Sequence, residues 1–266
     1  MSKPQLPRIR LGDLEVARLI LGTNPVSGFS HQDAKRSRQM VEYFTVERVK
    51  QLLRACEDHG IDAVVARADR FIVRVLGEYW REGGAIRWIA QTAPEFADPI
   101  RNIRMAAQAG ASAIYVHGND ADRLFASGRI DDLRARLDAI HSLGLPAGMA
   151  AHEPWNLLEA QKLSLPLDFC LLCLYNLTGY RGRPNEEPME QFDPRHRAVA
   201  LNTIRELPWP CLAYKILGAG RLSLDEGLAD VGPKLRPGDG ILLGMFPPDC
   251  PDLVGQAVRR VAEWKP

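Results

Sequence analysis

Eight short apolar runs recur along the chain, and most of them end in a polar or ionisable residue. The runs cover residues 19–21, 61–66, 87–90, 113–116, 147–151, 169–174, 211–214 and 240–243. Apolar runs of this length, separated by longer helical patterns, are typical of buried parallel strands. Eight such units predict a (β/α)8 TIM barrel, and a chain of 266 residues fits a single barrel domain over residues 1–266.

Helical periodicity fills the intervals between the runs. The clearest case follows the capping residue Thr45, where Val49, Leu52 and Cys56 form an apolar stripe that ends at Gly60. Comparable patterns predict helices over residues 70–81, 98–109, 130–143, 155–163, 194–206, 223–230 and 251–264.

Three further segments have recognisable roles in a barrel. Two strand-like stretches within residues 8–19 flank Gly12-Asp13, which predicts a β-hairpin that closes the bottom of the barrel. Residues 24–44 and 177–193 follow the first and sixth runs. Segments of this length at the strand ends are expected to be lids or binding loops.

Barrel enzymes keep their chemistry at the C-terminal ends of the strands, so the residues that end the runs predict the site. His117 and His152 end the neighbouring fourth and fifth runs, Asp69 follows the second, and Glu153 follows His152. These four residues predict general acid–base catalysis. Alternatively, His117 and His152 hold a divalent metal or only hydrogen-bond the substrate. Arg67 is expected either to form an ion pair with Asp69 or to leave it free for chemistry.

Lys215 ends the seventh run and is the remaining catalytic candidate. A desolvated lysine can form an imine with a carbonyl substrate. Because Asp69 and Glu153 are expected nearby, we predict instead that Lys215 stays charged and polarises a substrate oxygen. The turn that follows contains Gly218 and Gly220, which could hold an anionic cofactor or substrate group.

Neutral hydrogen-bonding groups surround the same end of the predicted barrel. A ring of amides and hydroxyls suits a small polyhydroxylated ligand such as a sugar. The candidate substrate-binding residues are Asn24, His31, Arg67, Gln91, Asn176 and Tyr180.

Several short motifs occur in chain order: Leu11-Gly12-Asp13-Leu14 through Gly22-Thr23, Gly60-Ile61-Asp62, Tyr175-Asn176-Leu177, Ala213-Tyr214-Lys215-Ile216-Leu217-Gly218, and Gly244. Together they resemble the motifs of the aldo/keto reductase family, a family of NADPH-dependent barrel enzymes. The resemblance implies a barrel with an entry hairpin, and it implies that Tyr214 and Gly218 are cofactor-binding positions. Gly220, in the same glycine run, is the third predicted cofactor-binding residue.

The catalytic tetrad of those reductases is mostly replaced. The Asp, Tyr and Lys of the family fall at Val65, at Arg70 and at Gln91 or Thr92, and only the His is kept, as His117. Hydride transfer to a carbonyl needs a tuned proton donor, and the Tyr–Lys pair that would provide it is missing.

The cofactor positions of the family are also changed. The Gln that grips the nicotinamide falls at Leu172, and the phosphate-binding cluster after the last strand falls at Met245-Phe246-Pro247-Pro248. We therefore predict that NADPH binds weakly or not at all. We expect a lyase, isomerase or hydrolase that acts on a small sugar-like or hydroxy-carbonyl compound. The alternatives are a reductase with His117 as its acid and a barrel that binds a ligand without catalysis.

Composition and charge limit the classes of molecule that this protein is expected to bind. The formal net charge is +1, which gives no overall field for nucleic acid. No apolar stretch is long enough to span a membrane, and the first residues contain no apolar signal region. The five cysteines do not suggest a disulfide framework. We expect a cytoplasmic protein whose partner is a small-molecule substrate, without nucleic acid or membrane, and no feature predicts an oligomeric state.

Overall fold

In the computed structural model, which describes residues 5–176 and 190–264, eight parallel strands form a closed barrel. This confirms the predicted TIM barrel. Each predicted run overlaps one strand, and the ring follows chain order, with the last barrel strand pairing with the first through Leu242 beside Ile20. The barrel strands are β3 (Leu19–Gly22), β4 (Ala63–Arg67), β5 (Arg87–Gln91), β6 (Ala111–Val116), β7 (Ala147–Ala151), β8 (Phe169–Cys173), β9 (Cys211–Tyr214) and β10 (Gly240–Gly244).

Helices surround this barrel, and all those predicted from the sequence are present. A short 3₁₀ turn, Gly232–Lys234, directly follows the helix Leu224–Val231. The helices are α1 (Ala34–Tyr43), α2 (Val46–Asp58), α3 (Arg70–Arg81), α4 (Pro99–Gln108), α5 (Gly118–Ala126), α6 (Ile130–His141), α7 (Pro154–Lys162), α8 (Pro194–Glu206), α9 (Leu224–Val231) and α10 (Leu253–Ala262). Within the described ranges, none of these helices has the length and apolar character needed to cross a membrane.

Two helices were not predicted. Helix α1 lies inside the segment 24–44 that was expected to be a loop, and it buries only Met40, so it lacks the apolar stripe that marks a helix. Its start is fixed by Asp33, whose side chain accepts a hydrogen bond from the amide of Arg36 at 2.7 Å. Helix α5 begins directly after His117 at the end of β6. Of the second predicted loop, residues 177–189 lie outside the described ranges.

The predicted hairpin pairs β1 (Arg8–Leu11) with β2 (Leu14–Ala17) and lies at the N-terminal end of the barrel. Asp62, just before β4, holds it there by accepting from the amide of Ala17 at 2.8 Å and from Arg8 at 2.5 Å. Arg87 also bonds Asp62. The buried side chain of Ile9 packs with the residues inside the barrel. The bottom is thus closed, and access to the strand ends is from the opposite side.

Candidate active site

The C-terminal ends of β6, β7 and β9 bring three predicted site residues into mutual electrostatic contact. His117 follows β6, His152 follows β7, and Lys215 follows β9. The charge of Lys215 lowers the pKa of both histidines, and His152 lowers that of His117. The structure therefore gathers these residues at one end of the barrel.

His152 is held by a carboxylate that the sequence analysis did not select. The Oδ2 atom of Asp122, on α5, lies 2.9 Å from Nδ1 of His152 and also accepts from its amide at 3.1 Å. The other carboxylate oxygen accepts from the Asn156 side chain at 2.8 Å. Burial lowers the pKa of His152 more than Asp122 raises it. Because a carboxylate only accepts, the neutral ring carries its proton on Nδ1 and presents the lone pair of Nε2.

His117 has the opposite arrangement. Its Nδ1 accepts from the amide of Asn119 at 3.0 Å, so the proton of the neutral ring is on Nε2. Its own amide donates to the hydroxyl of Thr92 at 3.0 Å, which ties this residue to the end of β5. Burial lowers the pKa of His117 to about 4, with His152 and Arg67 adding to the shift. At neutral pH this imidazole is an uncharged hydrogen-bond donor.

Close packing fixes the ring of His152 beside α5. A Cβ atom on Gly118 would lie 2.8 Å from Cε1 and 3.0 Å from Nδ1 of that ring, so only glycine fits there. On the other side, Tyr214 meets the ring edge to face at 5.9 Å between centroids. The Tyr214 hydroxyl donates to the carbonyl of Ala151 at 3.1 Å. Burial raises the pKa of Tyr214 well above its usual value, which keeps it protonated.

Lys215 is half-buried at the same end of the barrel. Its backbone has φ of 57°, a left-handed conformation that is uncommon outside glycine. Its Nζ lies over the ring of Tyr214, 4.9 Å from the centroid. Within the described ranges it forms no ion pair.

The loop after β3 contributes His31 to the same group. Lys215 and His152 both lower the pKa of His31, after burial, to about 4. The side chain of Asn24 lies 3.3 Å from Nε2 of His31. Gln32 donates to the carbonyl of Ala219 at 2.7 Å, which joins this loop to the turn after β9. Two predicted substrate-binding residues, Asn24 and His31, therefore contact each other.

Asp69 and Arg67 both bond to other protein groups after β4. Asp69 caps α3, where its Oδ1 accepts from the amide of Ile72 at 2.9 Å, and its Oδ2 lies 3.8 Å from Arg67. Arg67 also forms an ion pair with Glu95 and lies over the ring of Phe29 at 5.7 Å. The geometry thus places the predicted Arg67–Asp69 ion pair at the start of α3.

The other predicted polar residues also bond to protein groups. Glu153 Oε1 accepts a hydrogen bond from the side chain of Asn176 at 3.0 Å. The backbone amide of Asn176 donates to Nδ1 of buried His196 at 3.2 Å. Gln91 donates to the hydroxyl of Tyr115 at 2.7 Å. These residues form the polar wall of the barrel end.

The glycine turn after β9 is closed on itself. The amide of Gly218 donates to the carbonyl of Lys215 at 2.8 Å, and that of Gly220 donates to Leu217 at 3.0 Å. Neither amide points out toward an anion, so any cofactor role of these glycines would have to use other groups. Tyr180, the last predicted substrate-binding residue, lies outside the described ranges.

A metal site was the predicted alternative for the histidines. Residues 5–176 and 190–264 contain no group of three or more His, Cys, Asp or Glu side chains arranged to hold a metal ion. His117 and His152 each use Nδ1 in a hydrogen bond, which leaves one nitrogen each. Within the described ranges, these two nitrogens are fewer than the three protein ligands that a catalytic zinc site uses.

The residues at the positions of the reductase cofactor do not fit NADPH in the manner of that family. Leu172, where the nicotinamide-binding Gln would be, is fully buried within β8, and Met245 after β10 is also buried. Val65, at the position of the catalytic Asp of those reductases, lies in β4 among apolar side chains of the barrel interior. These positions supply no polar contact for an amide or a phosphate.

Sequence reasoning missed Asp122 and Asn156. Both lie near the start of a helix, and the helix that carries Asp122 was itself not predicted. The only available signal was the polar sequence Asn119-Asp120-Ala121-Asp122 directly after a strand that ends in histidine.

Comparisons with known proteins support the fold. No protein-family model matches the chain, and no curated protein matches it significantly in sequence. Among solved structures, the chain is similar to a protein provisionally named an aldo-keto reductase from Pseudomonas aeruginosa, with a TM-score of 0.64, 20% identity and 96% of each chain covered.

Two other barrels are similar at lower identity. One is a truncated 3-deoxy-D-arabino-heptulosonate 7-phosphate synthase from Thermotoga maritima, with a TM-score of 0.57, 14% identity, and 98% of this chain and 91% of that chain covered. The other is the N-acetylmannosamine-6-phosphate 2-epimerase from Clostridium perfringens, with a TM-score of 0.56, 14% identity, and 90% and 92% covered. The chain thus shares the barrel fold of these enzymes.

Proposed function

We propose that this protein is a non-redox barrel enzyme that moves a proton next to the carbonyl of a small hydroxy-carbonyl compound, as an isomerase, epimerase or lyase does. One observation carries the proposal. Two neutral histidines of opposite tautomer stand at adjacent strand ends, and within the described ranges the Nε2 lone pair of one and the Nε2–H of the other have no partner. A proton acceptor and a proton donor are the pair that enolisation requires.

The roles follow from the hydrogen bonds. Nε2 of His152 takes the proton from the carbon next to the carbonyl, and Asp122 stabilises the imidazolium that forms. The electron pair of the broken C–H bond moves to the carbonyl oxygen, which His117 Nε2–H protonates or hydrogen-bonds. Return of the proton to the same carbon, to its neighbour, or after loss of a leaving group gives epimer, isomer or lyase product. The cycle consumes no oxidant or reductant.

Lys215 acts through its positive charge rather than by forming an imine. Its ammonium group lies over the ring of Tyr214, and its charge acts on both histidines. A fixed positive charge in the site lowers the energy of the developing enolate through its field, without direct contact with the enolate oxygen. Borohydride treatment with candidate substrates would label Lys215 covalently if it acted through an imine, and we expect no label.

A sugar-like substrate fits the polar wall of the site. Asn24, His31, Gln91 and Asn176 supply amide and imidazole groups at the strand ends. The same fold also serves, in one structural neighbour, an epimerase named for a sugar phosphate. The barrel fold is therefore compatible with non-redox acid–base catalysis.

The test is proton exchange with solvent, which can be detected before the product of the reaction is identified. The protein is incubated with a panel of aldoses, ketoses and hydroxy-ketones in D2O, and proton NMR follows the signal next to each carbonyl. We expect exchange with at least one compound and a loss of at least about 100-fold in H152Q, the size usual for a general base.

The matched control is H141Q. His141 also pairs with a carboxylate, Asp168, at 2.8 Å, but Asp168 precedes β8 at the bottom of the barrel. H141Q is expected to exchange as the unmodified protein does. Absence of exchange across the panel, or equal exchange in H152Q, would refute the proposal. Binding of a panel member without exchange would then favour a ligand-binding barrel.

A reductase with His117 as its acid is the second candidate. It is favoured by the similarity in fold to the protein provisionally named an aldo-keto reductase. Fluorescence titration with NADPH separates the two. We predict weak or no binding, and tight binding with steady aldehyde reduction would favour the reductase.

A further inference from the structure

Two cations at the β9 side of the barrel end, half-buried Lys215 and exposed Arg221, lack within the described ranges the carboxylate partners that most buried basic residues have. Lys50, for example, is paired with Glu82 at 2.5 Å and Glu47 at 3.3 Å. Neither Lys215 nor Arg221 forms an ion pair with a carboxylate of the described ranges. Taking a lysine partly out of water without a counter-ion is costly, so a half-buried lysine that has no acidic partner within the described ranges favours an anionic ligand.

The position of Arg221 is set by contacts that leave its charge unneutralised. Nη1 donates to the carbonyl of Gly218 at 2.9 Å, and both Nη atoms lie 3.4 Å from the carbonyl oxygen of His31. The guanidinium group stacks on the ring of Phe192, 3.7 Å from its centroid. These contacts fix the plane of the group while its full charge remains.

Lys215 and Arg221 act on the same neighbour. Both lower the pKa of His31, which lies on the loop after β3 and is more than half buried. The hydrogen bond from Gln32 to Ala219 holds that loop against the turn that carries both cations. The guanidinium of Arg221, 3.4 Å from the carbonyl oxygen of His31, and Lys215 on the same turn therefore lie next to the β3 loop that carries His31.

The carboxylates of the barrel end in the described ranges are engaged elsewhere. Asp122 bonds His152 and Asn156, and Glu153 bonds Asn176. Asp122 and Glu153 thus lie beside β6 to β8, and Asp69 lies with Arg67 after β4, whereas Lys215 and Arg221 on the β9 turn have no acidic partner within the described ranges. Such a separation of charge orients a substrate that carries an anion at one end and reacts at the other.

We infer that Lys215 and Arg221, with His31, bind an oxyanion group of the substrate, either a phosphate or a carboxylate. This inference rests on the proposed function, because it places the reacting carbon beside His152 and the anion beside the β9 turn. The substrate class is then a hydroxy-carbonyl compound with a terminal anionic group.

Calorimetric titration of the whole protein with inorganic phosphate and with acetate, at constant ionic strength and pH 7, tests the inference. We expect phosphate or acetate to bind, and the tighter of the two identifies the group. K215M is expected to weaken that binding at least about 10-fold, and R221Q at least about threefold, because each removes a charged donor to the anion.

The matched control removes a lysine outside the site. Lys162 on α7 is exposed and paired with Glu159, so K162M should bind the anion as the unmodified protein does. A second readout is the titration of the His31 ring by NMR. The bound anion should raise its pKa, because it neutralises the field of the two cations.

The results separate this inference from the proposed function. H152Q should keep anion binding while it loses proton exchange. If neither anion binds, or K215M and K162M weaken binding equally, the oxyanion site is wrong, while exchange that depends on His152 would still support the enzyme. If the anion binds as expected but no compound exchanges its proton, the oxyanion site stands and the proposed chemistry fails.

Discussion

Asp122 determines which nitrogen of His152 carries a proton. Its Oδ2 receives both the ring Nδ1–H and the backbone amide of that histidine, and Asn156 holds its other oxygen. With both oxygens fixed, the carboxylate can adopt little other geometry. The lone pair that the proposed reaction needs is therefore set by a residue on helix α5 rather than at a strand end.

Replacing Asp122 by Asn tests this positioning role. The amide can turn its NH2 toward Nδ1, which favours the tautomer with the proton on Nε2 and removes the base. We expect proton exchange to fall at least about 100-fold while the protein stays folded. The control is Asp131→Asn, the same change at an exposed position of α6. Unchanged exchange in Asp122→Asn would show that the carboxylate does not set the tautomer.

Helix α5 organises most of this site. Its cap is His117, its first residue is Gly118, and its second turn supplies Asp122. One element therefore holds the proton donor, makes room for the base and orients it. The positions of His117 and His152 therefore depend on the residue at which α5 begins.

Replacing Gly118 by Ala separates the helix from its catalytic role. Alanine favours helix interiors over glycine by about 1 kcal/mol, which offsets part of the cost of moving the packed ring, so the variant should still fold. The added Cβ would be 2.8 Å from Cε1 of His152 and must displace the ring, so proton exchange should fall strongly. Gly77→Ala in α3 is the matched control, because its Cβ would meet nothing closer than 3.5 Å. Full exchange in Gly118→Ala would contradict the packing argument.

The same helix marks the limit of prediction from sequence. Strands β3 to β10 are predictable because each is a short apolar run, in most cases with a polar residue after it. Helix α5 is not, since Gly118, Asn119 and Asp120 at its start are typical of turns. Asp122 was missed with it, whereas His117, His152 and Lys215 were found because they end strands.

At the scale of the whole molecule, the buried histidines make stability depend on pH. The unfolded chain takes up a proton at His117 near the ordinary histidine pKa of 6.5, whereas the folded protein does so only near pH 4. Between these values the unfolded state binds more protons, so the free energy of unfolding falls as the pH is lowered. At higher pH this effect is absent, because the ring is neutral in both states.

His117→Asn measures this contribution. Asparagine caps a helix well and does not titrate, so the variant loses the acid sensitivity of this position but keeps the cap. Urea unfolding between pH 7 and pH 4 should show a smaller loss of stability in the variant, by about 3 kcal/mol at pH 4. Parallel curves for the two proteins would mean that His117 does not resist protonation in the fold.

The sequence predicts the barrel fold in more detail than it predicts the contacts of the candidate site. The hairpin, the order of the strands and the end that carries the site follow from patterns of a few residues each. The pairing of Asp122 with His152 joins residues 30 positions apart. The surroundings of Lys215 are likewise set by which distant elements the barrel brings to the end of β9. Neither can be read from local sequence.

The most direct test of the account is the protonation state of the two site histidines. Long-range proton–nitrogen NMR of the 15N-labelled protein at pH 7 distinguishes the two neutral tautomers from each other and from the cation. The account predicts that His152 is neutral with its proton on Nδ1 and that His117 is neutral with its proton on Nε2. A charged ring at either position, or the same tautomer at both, would contradict it.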